Sequence, residues 1–192
     1  PMAAPAPLAA FPPSRDACPT LPALLLQRGH TLRPLVAGDL SWLRELYAST
    51  RAEELAPVPW PEAAKRMFLD SQFALQHQHY LAHFGDSHFL AIERDGAAVG
   101  RYYLQWGASH DLIVDISLFP AERGCGVASA LIAHSQHEAG LRGCGMQLHV
   151  DGANPAALRL YQRLGFVGVE QQGTHLLMRW QRACAQQTGK IS

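Results

Sequence analysis

A chain of 192 residues is long enough for one domain with a substantial core. Hydrophobic residues make up 48% of the chain and charged residues 17%, which excludes an intrinsically disordered protein. Basic and acidic residues both total 16, and this balance argues against a protein that binds nucleic acid by neutralising its phosphates.

The cysteines and the apolar runs bear on compartment and membrane. The four cysteines are widely spaced and form no CxxC pair, which disfavours a zinc knuckle and favours a reducing compartment, so a cytoplasmic location is expected. No apolar run is long enough to span a bilayer, so no membrane partner is expected. Residues 1–28 are rich in Pro and Ala, match a secretory signal poorly and are predicted to be a flexible leader.

The segment after the leader predicts a strand followed by two helices. Residues 30–35 alternate between apolar and polar side chains, which is typical of a short strand. Asp39 is a candidate N-cap for a helix whose apolar residues recur at helical spacing. Residues 51–60 contain two prolines and predict a loop, and Pro61 opens a second helix that continues to Gln78.

The rest of the chain predicts a hairpin, a central strand and two further helices. Asp95-Gly96 lies between two apolar runs, which is a strong hairpin signal. Residues 112–119 alternate most regularly, with the even-numbered side chains on one face and the odd-numbered ones on the other. The remaining predicted elements are a helix from about Gly126 to Gly140, a strand over 146–150, a helix capped by Asn154 and two strands around Gly173.

Arg123-Gly124-Cys125-Gly126 lies where the central strand gives way to a helix. The first N–H groups of a helix have no partner inside the helix, and the helix dipole makes that end positive. Glycines allow a phosphate to approach closely, so a diphosphate can lie on the amides of residues 124–129. A tight strand-to-helix turn with a surface arginine explains the same residues without a ligand.

The same residues can be compared with two other phosphate-binding motifs. A P-loop requires a lysine that is absent here. "GCGVAS" is a partial match to the dinucleotide-binding GxGxxG pattern, and Asp151 supplies the acid at the end of the next strand. Residues 120–123 separate the strand from the glycines, and the upstream hairpin places antiparallel neighbours where a second βαβ unit should lie. An NAD-binding oxidoreductase is therefore kept as the less favoured alternative.

Two motifs together resemble those of the GNAT acyl-CoA N-acyltransferases. "PAERGCGVASALI" is similar to the family's R/Q-x-x-G-x-G/A signature, and "NPAALRLYQRLGF" to its Asn…Tyr…Gly-Phe helix. The likeness spans roughly residues 30–180, with the specific motifs inside 112–166. The matching residues are Arg123, Gly126 and Ala128 in the first motif, and Asn154, Tyr161, Gly165 and Phe166 in the second.

The resemblance implies an α/β (α+β) fold with a mixed, mostly antiparallel central sheet of six or seven strands. Helices flank the sheet, and its two parallel central strands splay apart. The domain would cover residues 29–182, with a C-terminal tail at 183–192. In the family, late strands often pair between subunits, so a homodimer is expected.

The resemblance also implies acetyl-CoA as co-substrate, lying between the strands at 112–119 and 146–150. A bulge in the first of these strands would direct a free N–H at the thioester carbonyl. The residues implied in binding the cofactor are Leu118, Phe119, Arg123, Gly124, Cys125, Gly126, Val127, Ala128, Ser129, Asn154 and Tyr161.

Tyr161 and Asp115 are the candidate catalytic residues. A phenol can donate a proton to the departing CoA thiolate, although packing on a helix face explains the tyrosine equally well. A base must deprotonate the acceptor ammonium. Some family members carry a glutamate near the position that corresponds to Leu112 here, and a leucine cannot act as a base. Asp115 is therefore the first candidate base and His110 the second. A structural role also explains Asp115, as a polar side chain whose hydrogen bonds are satisfied beneath a helix.

The acceptor would be a primary amine of a small molecule or peptide. In the family the first two helices and their loop hold it, so the implied acceptor residues are Glu53, Glu54 and Trp60, which suit a cationic amine. The histidines between 77 and 88 are predicted to be exposed imidazoles at a helix end, because no acidic third ligand follows, and no metal is expected. A non-catalytic acyl-CoA-binding module remains the main alternative function.

Overall fold

The computed structural model describes residues 7–182 and contains a seven-stranded mixed sheet in the order β1-β2-β3-β4-β5-β7-β6. All neighbouring strands are antiparallel except β4 and β5, which are parallel, so the predicted sheet is confirmed. The strands are β1 His30–Pro34, β2 His88–Arg94, β3 Ala97–Gln105, β4 His110–Leu118, β5 Gly145–Asp151, β6 Val167–Gln172 and β7 His175–Trp180. The helices are α1 Ala23–Gln27, α2 Leu40–Leu55, α3 Glu62–His83, α4 Val127–Leu141 and α5 Pro155–Arg163.

The helices cover the sheet on both faces, each over its own apolar core. Helices α1, α4 and α5 pack on one face, around fully buried side chains such as Leu131 and Met146. Helices α2 and α3 pack on the other face, around Leu43, Leu46 and Phe73. Apolar burial on both faces is the main stabilising contribution to this three-layer arrangement.

Strands β4 and β5 diverge after a short paired stretch. Their pairing runs from His110 opposite Gly145 to Ile113 opposite Leu148, while β4 continues to Leu118. The edge of β4 that faces β5 is therefore open beyond Ile113. This divergence is the splay that the family resemblance implies.

A β-bulge lies at the point of divergence. Tyr103 of β3 is opposite Asp115, but Leu104 is opposite Ile113, so Val114 is the extra residue. The predicted alternation of the central strand is wrong before the bulge, because the extra residue reverses the faces. Ile113 therefore packs on the α4 side of the sheet, as Ile116 and Leu118 do after the bulge. Val114 packs on the α2–α3 side.

Three local predictions need correction. The predicted loop over 51–60 is correct only from residue 56, because helix α2 continues to Leu55, which is buried and anchors the last turn. Asp39 is not the side-chain cap of α2, because its carboxylate accepts instead from Arg33 and from the Val36 amide. The short helix α1 was not predicted at all.

Part of the expected flexible leader lies against the domain. Phe11 packs edge-on against His77 at 5.0 Å between ring centroids, and His77 donates from Nε2 to the Ala9 carbonyl at 2.7 Å. Burial lowers the pKa of His77, which keeps its imidazole neutral. The expected tail at 183–192 lies outside the described residues. Between residues 7 and 182, no helix combines the length and the apolar character that crossing a membrane would require.

Candidate active site

The turn between β4 and α4 requires glycine at two positions. Gly124 and Gly126 have φ values of 72° and 79°, in the left-handed region that other residues rarely adopt. A Cβ at either position would meet no atom within 4 Å, so the space beside the turn is open. Backbone geometry alone therefore explains both glycines, and a ligand site has to be argued from the amides.

The amides of this turn are unpaired. None of the backbone N–H groups of residues 124–129 donates to an acceptor within the described part of the chain. The first bond at the start of α4 runs from the Ala130 amide to the Gly126 carbonyl, at 3.0 Å. Unpaired N–H groups at the positive end of a 15-residue helix are suited to anions, so donors are available for the predicted diphosphate.

Two arginine side chains donate hydrogen bonds at the turn. Arg123 donates from Nε to the Leu118 carbonyl at 2.9 Å and from Nη2 to Ser49 of α2 at 3.2 Å. Arg28, the last residue of the predicted leader, donates to the Cys125 carbonyl at 3.0 Å. Arg28 was missed because its approach to the turn depends on the packing of α1 against α4.

Tyr161 lies on helix α5, which packs on the same face of the sheet as α4. Asn154 caps this helix by accepting from the Ala157 amide at 3.0 Å, as predicted. The Tyr161 ring packs against Phe166, and its hydroxyl has no hydrogen-bond partner among residues 7–182. Burial, followed by the negative charge of Asp115, raises the pKa of Tyr161 to about 12. The phenol therefore keeps its proton and has a free donor.

Asp115 is engaged in a buried network. Its Oδ2 accepts from Arg101 at 2.8 Å and from the Tyr80 hydroxyl at 2.7 Å. Its Oδ1 accepts from Arg101 at 3.3 Å and from Ser117 at 2.7 Å. The Arg101 side chain is only 3% exposed, so the pair is a buried one. Four hydrogen bonds from Arg101, Tyr80 and Ser117 engage both oxygens of this carboxylate, so Asp115 is not free to contact an acceptor amine.

A cleft of about 380 Å³ opens over the point where β4 and β5 diverge, on the face covered by α2 and α3. Its walls come from the end of α3, the start of β4, the middle of β5 and the β6–β7 turn. The lining residues are His79, Tyr80, Phe84, Leu112, Ile113, Val114, His149, Gln172 and His175. Among residues 7–182, the lining consists of apolar, imidazole, phenol and amide side chains and includes no carboxylate or ammonium group.

Its three histidines were not identified from the sequence as a group. His149 carried a usable signal, because the alternation of "MQLHV" places it opposite the buried Leu148 and Val150. His79 and His175 come from distant segments and meet His149 only through the sheet order.

Residues 43–166 match the Acetyltransferase (GNAT) family. The chain belongs to this family. Acetyltransferase Atu2258 of Agrobacterium fabrum is 37% identical over 103 residues, which cover 48% of this chain and 71% of that protein. Streptothricin acetyltransferase of Streptomyces lavendulae is 30% identical over 102 residues, which cover 46% of this chain and 54% of that protein.

Solved structures show the same GNAT fold. The PaiA N-acetyltransferase from Thermoplasma acidophilum, in complex with coenzyme A, aligns with a TM-score of 0.61 at 17% identity. The alignment covers 80% of this chain and 99% of that one. The dinucleotide-binding alternative does not fit this fold, because β3 pairs with β4 in the antiparallel direction.

The implied acceptor residues of this GNAT protein lie away from the histidine cleft. Glu54 forms a two-pronged ion pair with Arg51, at 2.6 and 2.8 Å, and this pairing lowers its pKa. Glu53 is exposed on the same helix, and Trp60 packs edge-on against Phe68 at 5.5 Å. None of Glu53, Glu54 and Trp60 lines the cleft.

The other histidines also differ from expectation. His79 and His83 are exposed and stacked at 4.3 Å, but His77 and His88 are buried, so the predicted cluster of exposed imidazoles is only half correct. His110 begins β4 and does not line the cleft. Over the described residues, no group of three or more His, Cys, Asp or Glu side chains could hold a metal ion.

Proposed function

We propose that this protein is an N-acetyltransferase that transfers the acetyl group of acetyl-CoA directly to a primary amine. The observation that carries the proposal is the run of unpaired amides at residues 124–129, at the end of a strand whose edge is open beyond Ile113. The amides would hold the diphosphate of coenzyme A. The open edge of β4 would pair with the amides of the pantetheine arm, as an added strand does.

The bulge and Tyr161 supply the two groups that the transfer step needs. The amine nitrogen attacks the thioester carbonyl carbon, forming the C–N bond and an oxyanion. A backbone N–H released by the bulge at Val114 would stabilise that oxyanion. The C–S bond then breaks and the sulfur leaves as a thiolate. Because its pKa is about 12, Tyr161 remains protonated and donates a hydrogen bond to that sulfur.

His149 is the base that the geometry favours. It lies on β5 one residue beyond the last pair with β4, is exposed to the cleft and has no hydrogen-bond partner in the described range. Imidazole is the side-chain base suited to proton transfer near neutral pH. Asp115 would then act indirectly, by holding Tyr80 and Arg101 in place and by raising the pKa of Tyr161.

The lining of the cleft favours a weakly basic acceptor amine. An ammonium group entering the cleft would lose hydration without meeting a carboxylate. The α-amine of a peptide has a pKa of about 7.7–8.0 and a lysine-type amine has one of about 10.4. At neutral pH the uncharged fraction of the peptide α-amine is therefore far larger. We therefore propose that the acceptor is the α-amine of a peptide, held beside His149, Gln172 and His175.

A thiol-release assay with acetyl-CoA and two matched acceptors tests this function. An alanine-initiated peptide should react at least about tenfold faster at neutral pH than Nα-acetyl-lysine amide, whose only amine is a lysine-type one. Preference for the lysine compound would overturn the acceptor class. If acetyl-CoA raises the melting temperature but no amine exceeds background hydrolysis, the protein is a non-catalytic acyl-CoA-binding module.

Replacing His149 with glutamine should lower kcat about tenfold at neutral pH and less at higher pH, where the acceptor arrives already uncharged. The rate is measured with the same peptide across a pH series. His137→Gln, on the exposed side of α4, is the control and should change nothing. Equal rates for His149→Gln and the wild type throughout the series would remove His149 from the mechanism.

A further inference from the structure

Glu122 is a buried carboxylate directly before the glycine turn. It ends the 3₁₀ turn Pro120–Glu122, and only 2% of the residue is exposed. Its Oε1 forms an ion pair with Nη1 of Arg94, the last residue of β2, at 2.6 Å. Its Oε2 lies 3.6 Å from Nε2 of His30, the first residue of β1. The carboxylate therefore connects the turn to the ends of two strands.

The contact with His30 is close but is not a hydrogen bond. His30 Nδ1 lies 3.3 Å from the Leu25 carbonyl, which can only accept, so Nδ1 carries the ring proton. Nε2 of a neutral ring would then direct a lone pair at Glu122 Oε2. Neither atom has another partner in residues 7–182. At 3.6 Å the two atoms form no hydrogen bond, so Arg94 is the partner that holds the carboxylate.

Such a group is not explained by stability alone. A buried carboxylate loses its hydration, and an apolar side chain of similar volume usually gives equal or greater stability. Arg123 and Arg28 restrain the turn through hydrogen bonds, and the ion pair between Glu122 and Arg94 adds a restraint from the end of β2. The side chain of Glu122 fixes the chain two residues before the first of these glycines.

We propose that Glu122, held by Arg94, is a positioning residue for the glycine turn. It keeps the unpaired amides of residues 124–129 in one fixed arrangement, so that a diphosphate binds without reordering the turn. This inference rests on the proposed function, because it takes coenzyme A to be the ligand of the turn. It assigns to Glu122 no contact with acetyl-CoA and no part in proton transfer to or from the reacting atoms.

Titration calorimetry with acetyl-CoA tests the proposal, together with steady-state kinetics. Glu122→Ala should raise the Kd and the KM for acetyl-CoA about tenfold and leave kcat at saturation within about twofold. Glu122→Gln keeps the volume and loses the charge, so it should fold even where the alanine variant does not. Its Kd should lie between those of the wild type and the alanine variant.

Asp111 provides a matched control. Its side chain is 1% exposed and paired with Arg142, but it lies at the opposite end of β4 from the turn. Asp111→Asn should lower the melting temperature without raising the Kd for acetyl-CoA. A wild-type Kd in both Glu122 variants, or an equal rise in Asp111→Asn, would overturn the positioning role. Failure of the wild type itself to bind acetyl-CoA would instead count against the proposed function.

Discussion

Tyr161→Phe is expected to lower kcat about a hundredfold while the Kd for acetyl-CoA stays within about twofold. The substitution removes only the hydroxyl, which makes no hydrogen bond to the rest of residues 7–182, and leaves the ring packed against Phe166. Stability should therefore be nearly unchanged, and the loss should appear in the step that expels the thiolate. Single-turnover thiol release measures that step separately from binding.

The pH profile adds a second readout for Tyr161. An ordinary phenol ionises near pH 10, but burial and the charge of Asp115 raise the pKa of Tyr161 to about 12. The proton that the mechanism needs is therefore present below that pH and is lost only above it. The wild-type rate should show no decline near pH 10 from this group.

Tyr102→Phe is the matched control for Tyr161→Phe. Tyr102 is buried in the same core and donates to Ser135 at 2.9 Å. Its loss should cost about 1 kcal/mol of stability without lowering turnover. A Tyr161→Phe enzyme as fast as the wild type would show that the tyrosine only packs.

Asp115→Asn is expected to lower the free energy of unfolding by about 3 kcal/mol, because it leaves the Arg101 guanidinium buried without its counter-charge. For a domain of this size the melting temperature should fall by about 6–12 °C. Turnover of the folded fraction should fall less than about tenfold, because the carboxylate is not the proton acceptor in the proposed mechanism. Chemical denaturation and kinetics well below the melting temperature measure the two effects separately.

Asp70→Asn supplies the comparison for Asp115→Asn. Asp70 pairs with Arg66 at 3.2 Å on the surface, where ion pairs contribute little, so its loss should change stability by less than about 0.5 kcal/mol. The opposite pattern for Asp115→Asn, with stability retained and turnover lost at every pH, would establish Asp115 as the base and displace His149.

Local sequence determined several elements of the fold, including the glycine turn before α4. The cap at Asn154, the left-handed glycines and the hairpin at Asp95-Gly96 are each set by residues within a few positions of one another, so short-range patterns predict them. The order of elements along the chain follows from the same periodicities. The family motifs of residues 112–166 then indicated the topology of the sheet, which periodicity alone would not have given.

The roles of the polar residues were decided by contacts between distant segments. Asp115 was a reasonable candidate base on its strand, but Arg101 from β3 and Tyr80 from α3 occupy its oxygens. The bulge at Val114 reverses the face of the preceding residues, and alternation read along one strand cannot reveal an extra residue relative to its neighbour.

The sequence by itself determined the long helices, the hairpin and the left-handed glycines at the head of α4, because helix starts, glycine conformation and apolar periodicity are local properties. The GNAT-type sheet was indicated by the motif resemblance. Only the tertiary structure decided which charges are neutralised and which imidazoles share a cleft. Sheet order and register bring α3, β5 and the β6–β7 turn together across more than 90 residues of chain. The free energy of a buried charge depends on those through-space neighbours and not on the residues beside it in the sequence.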